Sequence, residues 1–209
     1  MVQTDQLEFQ YKNKEQLFRF PNITLKEQEH LVILGKSGIG KTTLLHLLAG
    51  LQKSTAGSIK IDEVLINSLS HSQLDTFRGQ HIGLVFQKSH AITSLNVYDN
   101  LKARLFISKK AIDEKNIDAL LKQLDLIENK KSKVNELSVG QLQRLGIAMA
   151  VIHQPKLILA DEPTSSLDDE NCEIVMNLLQ QQAKQHQANL VVITHDARIK
   201  SSFKNVMTL

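Results

Sequence analysis

Residues 35–43 read GKSGIGKTT and join an unbroken apolar run, Leu31–Leu34, to a segment of helical pattern, Thr42–Ala49, that stops at Gly50. A Gly-x₄-Gly-Lys-Thr loop that leaves a buried strand and opens a helix lets successive backbone N–H groups curl around phosphate oxygens, with the helix N-terminus aimed at the same charge. The glycines are concentrated there: the chain has 9 in 209 residues, and Gly35, Gly38 and Gly40 all fall in this loop. Lys41 is spaced to reach the β- and γ-phosphates, and the Thr42 hydroxyl suits a Mg²⁺ ion. The loop reads as a nucleotide site.

The rest of the pattern says what holds this loop. Three further runs, Gly83–Phe86, Leu157–Ala160 and Leu190–Ile193, are nearly continuous in Leu, Ile and Val, as expected of parallel strands covered by helices on both faces. Residues 2–26 alternate apolar and polar through LEFQY, LFRF and ITL, which predicts short antiparallel strands with one wet face, and SIKI at 58–61 adds another. Ile117, Leu120, Leu121 and Leu124 have helical spacing within 113–126. Ser138 and Gln141 stand at capping-box spacing at the head of a helix running to His153, with Pro155 beyond it. Asp168, Asp169 and Glu170 open another helix reaching Lys184, where acidic residues suit the positive end of the helix dipole. This order predicts an α/β fold: a mostly parallel core sheet, an N-terminal antiparallel part and a helical insert at about 90–150.

Composition excludes several classes. Apolar residues make up 42% and charged residues 22%, ordinary globular values that argue against disorder. A formal net charge of +3 is too slight to point to nucleic acid, so no nucleic-acid partner is expected. The single Cys172 cannot bridge internally and is expected to be a packing residue in a reducing compartment. The first residues, MVQTDQLEFQ, have no apolar core of a signal peptide, and no apolar run approaches the roughly 18 residues that span a bilayer. A soluble, cytoplasmic chain is expected. His46, His90 and His153 lack ligand spacing, so no protein-only metal site is expected, and Lys130, Lys131 and Lys133 read as a solvated loop.

The second half of the chain narrows the chemistry. LILADEPTSSLD at 157–168 runs a buried strand into Asp161 and Glu162. Asp161 at the strand end can hold Mg²⁺ through water, and Glu162 is placed to polarise an attacking water. A guanine-reading N-K-x-D element after the loop is absent, since NKEQ at 13–16 precedes it and lacks the Asp, and no Arg-rich lid of a small-molecule kinase is evident.

With Gln87 after a strand, LSVGQ at 137–141, SSLD at 165–168 and His195 added, the constellation resembles the ATP-binding-cassette (ABC) family over almost the whole chain. The resemblance implies one P-loop NTPase cassette over 1–209, with the inserted helical subdomain carrying the signature motif. Gly35, Lys36, Ser37, Gly38, Ile39, Gly40, Lys41, Thr42 and Thr43 would bind ATP phosphates, and Tyr11 would stack on adenine. Thr42, Gln87 and Asp161 would hold Mg²⁺, partly through water. Catalysis would fall to Glu162, His195, Gln87 and Lys41. Ser138, Gly140 and Gln141 would meet the γ-phosphate held by a second copy, and Asp168 would cross that interface. The implied partners are this second copy and a transmembrane permease subunit, which would attach the chain peripherally to the inner face of the cell membrane. The wording of AGLQKSTAGSIKID and RGQHIGLVFQKSHAITSLNVYDNL resembles the macrolide-export, lipoprotein-release and cell-division branch.

The sequence departs from the family pattern at Val139, where glycine is usual, at Leu142, where a polar residue is common, and at Ser166 in place of alanine. The chain runs only fourteen residues past His195, so no C-terminal regulatory domain is expected. The alternatives are a soluble cassette of DNA repair or translation, which would tend to carry coiled-coil inserts or zinc cysteines, and a low-turnover nucleotide-binding regulator.

Overall fold

In the computed structural model of the protein, residues 1–12, 14–165 and 167–209 are described, so the departure at Ser166 lies outside the described residues. The elements run β1 (Val2–Gln10), β2 (Leu17–Arg19), β3 (Thr24–Leu25), β4 (His30–Leu34) and α1 (Lys41–Leu48). They continue through β5 (Ala56–Ile61), β6 (Val64–Leu65), α2 (His71–His81), β7 (Ile82–Val85), α3 (Val97–Ile107) and α4 (Glu114–Gln123). The last are α5 (Val139–Val151), β8 (Leu157–Asp161), α6 (Asp169–Gln185), β9 (Asn189–Thr194) and β10 (Asn205–Thr208).

Two sheets form. β1 pairs antiparallel with β2, β3 and β5, and β5 with β6. The second sheet has the order β10-β4-β9-β8-β7 with every pairing parallel. Side-chain alternation splits the parallel strands between two cores. Leu31 and Ile33, Leu157 and Leu159, and Val191 and Ile193 face α1 and the antiparallel sheet. Val32, Ile158, Ala160, Leu190 and Val192 face the other side, with the apolar residues of α3, α4, α5 and α6. Both faces are therefore dry, which is why these strands read as continuous apolar runs rather than alternating ones.

α5 packs directly against β7. A Cβ placed on Gly83 would stand 2.1 Å from the Ala150 carbonyl oxygen, so glycine there is a condition of close strand–helix packing. The helix heads form as their sequences dictate. Gln141 N–H donates to Ser138 Oγ at 3.3 Å while Ser138 N–H donates to Gln141 Oε1 at 2.8 Å, and Asp168 Oδ1 accepts from Asn171 N–H at 2.8 Å.

The expected solvated loop of lysines is corrected at one position. Lys131 and Lys133 are exposed, but Lys130 is half-buried, 2.6 Å from Asp118 Oδ1 and 4.7 Å above the Tyr98 ring. Tyr98 in turn donates to Glu114 Oε1 at 2.6 Å. An aromatic face and a carboxylate brought together by tertiary contact hold the ammonium down.

Candidate active site

All five parallel strands end at one edge of their sheet, since Thr208 pairs with Leu34, Leu34 with Thr194, Ile193 with Asp161, and Ala160 with Val85. The residues just beyond these ends converge, as ligand groups do at the carboxyl edge of open α/β sheets.

Beyond β4 the loop turns through Gly38 (φ +82°) and Gly40 (φ +109°), left-handed conformations that a side chain disfavours. A Cβ on Gly40 would also lie 2.7 Å from the Phe18 ring. α1 starts at Lys41 without a side-chain cap, leaving its first N–H groups for an anion. The buried Lys41 ammonium donates to the carbonyls of Gly35 at 2.7 Å and Lys36 at 3.1 Å, and lies 3.6 Å from Glu162 Oε1. The Thr42 hydroxyl stands 3.5 Å from Asp161 Oδ1.

Glu162 occupies left-handed backbone (φ +48°), held there while its N–H donates to Ile193 at 2.9 Å. Its carboxylate accepts from Thr194 Oγ1 at 2.7 Å and from His195 N–H at 3.2 Å, with His195 Nδ1 2.9 Å away. Burial alone would push this carboxyl up, but the donors from His195 and Thr194 outweigh it and hold Glu162 below its ordinary value. Asp161 moves the other way: burial raises it and the neighbouring Glu162 charge adds to that, against a hydrogen bond from Thr42. One carboxylate is thus kept ionised by donors, while the other is electrostatically costly until a cation arrives. Gln87, two residues past β7, donates to Ser165 Oγ at 3.0 Å, and Ser165 Oγ donates to the Glu162 carbonyl at 3.2 Å.

These groups share one cavity of about 730 Å³, lined by Tyr11, Lys36, Ser37, Gly38, Gly40, Lys41, Thr42, Thr43, Gln87, Asp161, Glu162 and His195. Tyr11 is anchored by its hydroxyl, 3.0 Å from Thr43 Oγ1, and its ring meets Phe9 and Phe18 edge-on. Lys14, Gln16 and Phe18 also line this cavity and were not anticipated. Phe18 could have been found, because the β1–β2 pairing sets it opposite Phe9, two residues from Tyr11. Gly35 and Ile39 lie in the loop without lining the cavity, and Ser138, Gly140, Gln141 and Asp168 lie outside it, at the heads of α5 and α6.

The ABC transporter family profile matches residues 19–165, which include the phosphate loop, LSVGQ and Asp161–Glu162. The chain belongs to the ABC transporter family. The lipoprotein-releasing system ATP-binding protein LolD of Buchnera aphidicola is 38% identical over 192 residues, covering 90% of this chain and 84% of LolD. The bacitracin export ATP-binding protein BceA of Halalkalibacterium halodurans is 38% identical over 187 residues, covering 88% and 74% respectively. Among solved structures, a dimeric post-hydrolysis state of the ATP-binding cassette MJ0796, bound to ADP and Pi, superposes with a TM-score of 0.89 at 32% identity, covering 100% of this chain and 94% of that one. CbiO1 of Clostridium perfringens, part of the transporter complex cbiONQ, gives 0.88 at 27% identity, covering 99% and 83%. The chain is accordingly an ATP-binding, ATP-hydrolysing subunit of an ABC transporter. Among its described residues no helix is long and apolar enough to cross a membrane.

Proposed function

We propose that this ABC ATPase hydrolyses Mg²⁺-bound ATP in the cavity between Tyr11 and Glu162, and that two copies closed head to tail drive a membrane permease from its cytoplasmic side. The observation that carries this reading is the arrangement of Glu162: an ionised carboxylate, caged by Thr194 and His195, within 3.6 Å of Lys41.

The Tyr11 ring takes the adenine. The loop N–H groups and Lys41 take the phosphates, Lys41 exchanging its carbonyl partners for phosphate oxygens. Thr42 and Asp161, already in contact, and Gln87 on the same wall offer a few hard oxygen donors, the set that Mg²⁺ uses when phosphates and water complete its shell. When bound, the ion neutralises charge that builds on the phosphates. Glu162 accepts the proton of the attacking water, whose oxygen bonds to the γ-phosphorus. The bond from that phosphorus to the bridging oxygen breaks, and ADP departs with the electron pair. His195 holds the Glu162 carboxylate in position. Ser138, Gly140 and Gln141 of one copy, with Asp168, face the nucleotide of the other, where the α5 N-terminus favours the γ-phosphate.

A second cavity, of about 360 Å³, supports the permease. Leu84, Phe86, Ile107, Leu142 and Met149 line it, with Arg78, Lys88 and Arg104, and the adjacent Phe106 is 78% exposed. Asp75 on its wall is already paired with Arg78. An apolar permease segment with acidic flanks fits this chemistry, and Phe86 neighbours Gln87, so occupancy is transmitted to the nucleotide site. The likeness to LolD supports a place in the macrolide-export, lipoprotein-release and cell-division branch. The test is to identify the membrane protein that co-purifies with the tagged chain in mild detergent. Met149→Glu is expected to lose it with circular dichroism unchanged, whereas undiminished recovery would count against the cavity as the docking site.

A further inference from the structure

One side chain, Arg198, ties the loop after His195 to the loop after Glu162. Its Nε donates to Asp196 Oδ1 at 2.9 Å and its Nη2 to Asp196 Oδ2 at 2.7 Å. Nη1 pairs with Asp169 Oδ1, and Nη2 also reaches the Leu167 carbonyl at 3.3 Å. Asp196 is itself fixed. Its side chain is 9% exposed, and Oδ2 accepts from the fully buried Thr164 hydroxyl at 2.9 Å.

Each anchor adjoins a residue of the site. Asp196 follows His195, Thr164 lies two residues past Glu162, and Leu167 and Asp169 flank Asp168. None of Arg198, Asp196, Asp169, Thr164 and Leu167 lines the nucleotide cavity. Only a planar fork can pair bidentately with one carboxylate while its outer N–H groups reach a second carboxylate and a carbonyl; an ammonium is a point charge without that geometry. The hydrogen bonds from Arg198 hold the Asp196 carboxyl down at about 2, so the pairing persists across the working pH range.

We propose that Arg198 is a positioning residue for hydrolysis: it fixes the Asp168 loop relative to the Glu162–His195 pair and so governs turnover rather than nucleotide binding. This rests on the reading of Glu162 and His195 as the hydrolytic pair. In the dimer, the Asp168 loop is the part that the second copy meets, and a guanidinium that sets its offset from Glu162 transmits closure to the base.

The test is steady-state ATPase kinetics of the full chain for Arg198→Gln, Arg198→Lys, Asp169→Asn and the Arg198→Gln/Asp169→Asn double variant, beside Glu162→Gln. Arg198→Gln is expected to lower kcat about tenfold with KM within about twofold, the signature of an interaction that matters after binding. Arg198→Lys should recover only part, because it keeps the charge at Asp196 but not the fork. Asp169→Asn should lower kcat in the wild-type background and be silent alongside Arg198→Gln, because the two residues act through one contact. The Asp169 side chain is 90% exposed, so that arm survives even if Arg198→Gln fails to fold. Full kcat in Arg198→Gln, additive effects of the two substitutions, or a rise in KM at constant kcat would overturn the inference. If Glu162→Gln turns over like wild type, the hydrolytic-pair reading fails; if it is dead while the Arg198 variants are normal, only the role of Arg198 fails.

Discussion

His195 Nδ1 lies 2.9 Å from Glu162 Oε1, and Glu162 itself sits at φ +48°. A side-chain-bearing residue in left-handed backbone costs on the order of 1 kcal/mol or more. Here the conformation lets the residue after the β8 end turn its carboxylate toward Lys41 while its N–H still pairs with β9. The donors around the carboxylate and the N–H bond to β9 thus hold Glu162 in this strained conformation. A base must be ionised before it can act, and those donors lower Glu162. With the folded value depressed, the carboxylate persists at neutral pH, and its contribution is lost only as pH falls through that lowered value.

Glu162→Gln keeps an oxygen that can accept from Thr194 and His195 but removes proton acceptance. ATP binding should survive, turnover should fall about 10²-fold or more, and the ATP-bound dimer should accumulate. Single-turnover kinetics and size-exclusion chromatography with ATP check this, and wild-type turnover would remove Glu162 as the base.

His153 offers a pH test away from the site. It is buried, its Nε2 accepts from Arg104 Nη2 at 2.9 Å, and burial followed by the Arg104 charge pushes it down to about 3. Between about pH 3 and 6.5 the unfolded chain binds this proton and the folded chain does not, so the group's contribution to stability falls as pH falls through that window. His153→Gln retains an acceptor for Arg104 and removes the titration. Going from pH 7 to pH 5, wild type should lose about 2 kcal/mol more than the variant in urea unfolding. Parallel pH profiles would show that His153 is protonated in the native protein.

Much of this was legible in the sequence because it rests on local rules. The loop glycines, the apolar strands, the Ser138–Gln141 box and the Asp168 cap each follow from neighbours in the chain. Less legible was what tertiary contact decides. α3 carries Val97, Leu101 and Leu105 inward, but the exposed Phe106 and Ile107 blur its periodicity. α2 buries no residue fully, and β10 is a short edge strand of alternating exposure. Phe18 in the nucleotide cavity, Lys130 on Tyr98, and Arg198 between two loops all depend on strands and helices far apart in sequence being brought together.

Gly83 and Gly79 should respond to alanine with opposite signs. Gly83→Ala drives a methyl into the Ala150 carbonyl and forces α5 off β7, a cost of about 1–3 kcal/mol or more. At Gly79, within α2, the nearest atom to an added Cβ is 3.6 Å away, and alanine in a helix should stabilise by roughly 0.5–1 kcal/mol. Thermal unfolding of the two variants decides it, and equal effects would show that α5 can shift freely on β7.

Val139 is the first residue of α5, between the cap Ser138 and Gly140, and it is 66% exposed. Its side chain therefore makes little contact within its own chain and stands on the surface proposed to meet the nucleotide of a second copy. A valine is stiff at χ1 and restricts the backbone, whereas glycine would let the loop settle against the phosphate. Because the side chain is outside the core, Val139→Gly should change fold stability only by the helix-propensity cost of about 1 kcal/mol or less. Its main effect should fall on association: the isolated wild-type chain hydrolyses ATP slowly, with a rate per chain that rises with protein concentration, and Val139→Gly reaches its plateau at lower concentration. The permease holds two copies together at high effective concentration, so its presence should raise the wild-type rate and shrink the difference between the two proteins. ATPase rate against concentration, with and without the co-purified partner, measures both effects. A free wild-type chain that is already fast, and that neither the substitution nor the partner accelerates, would make Val139 a neutral change.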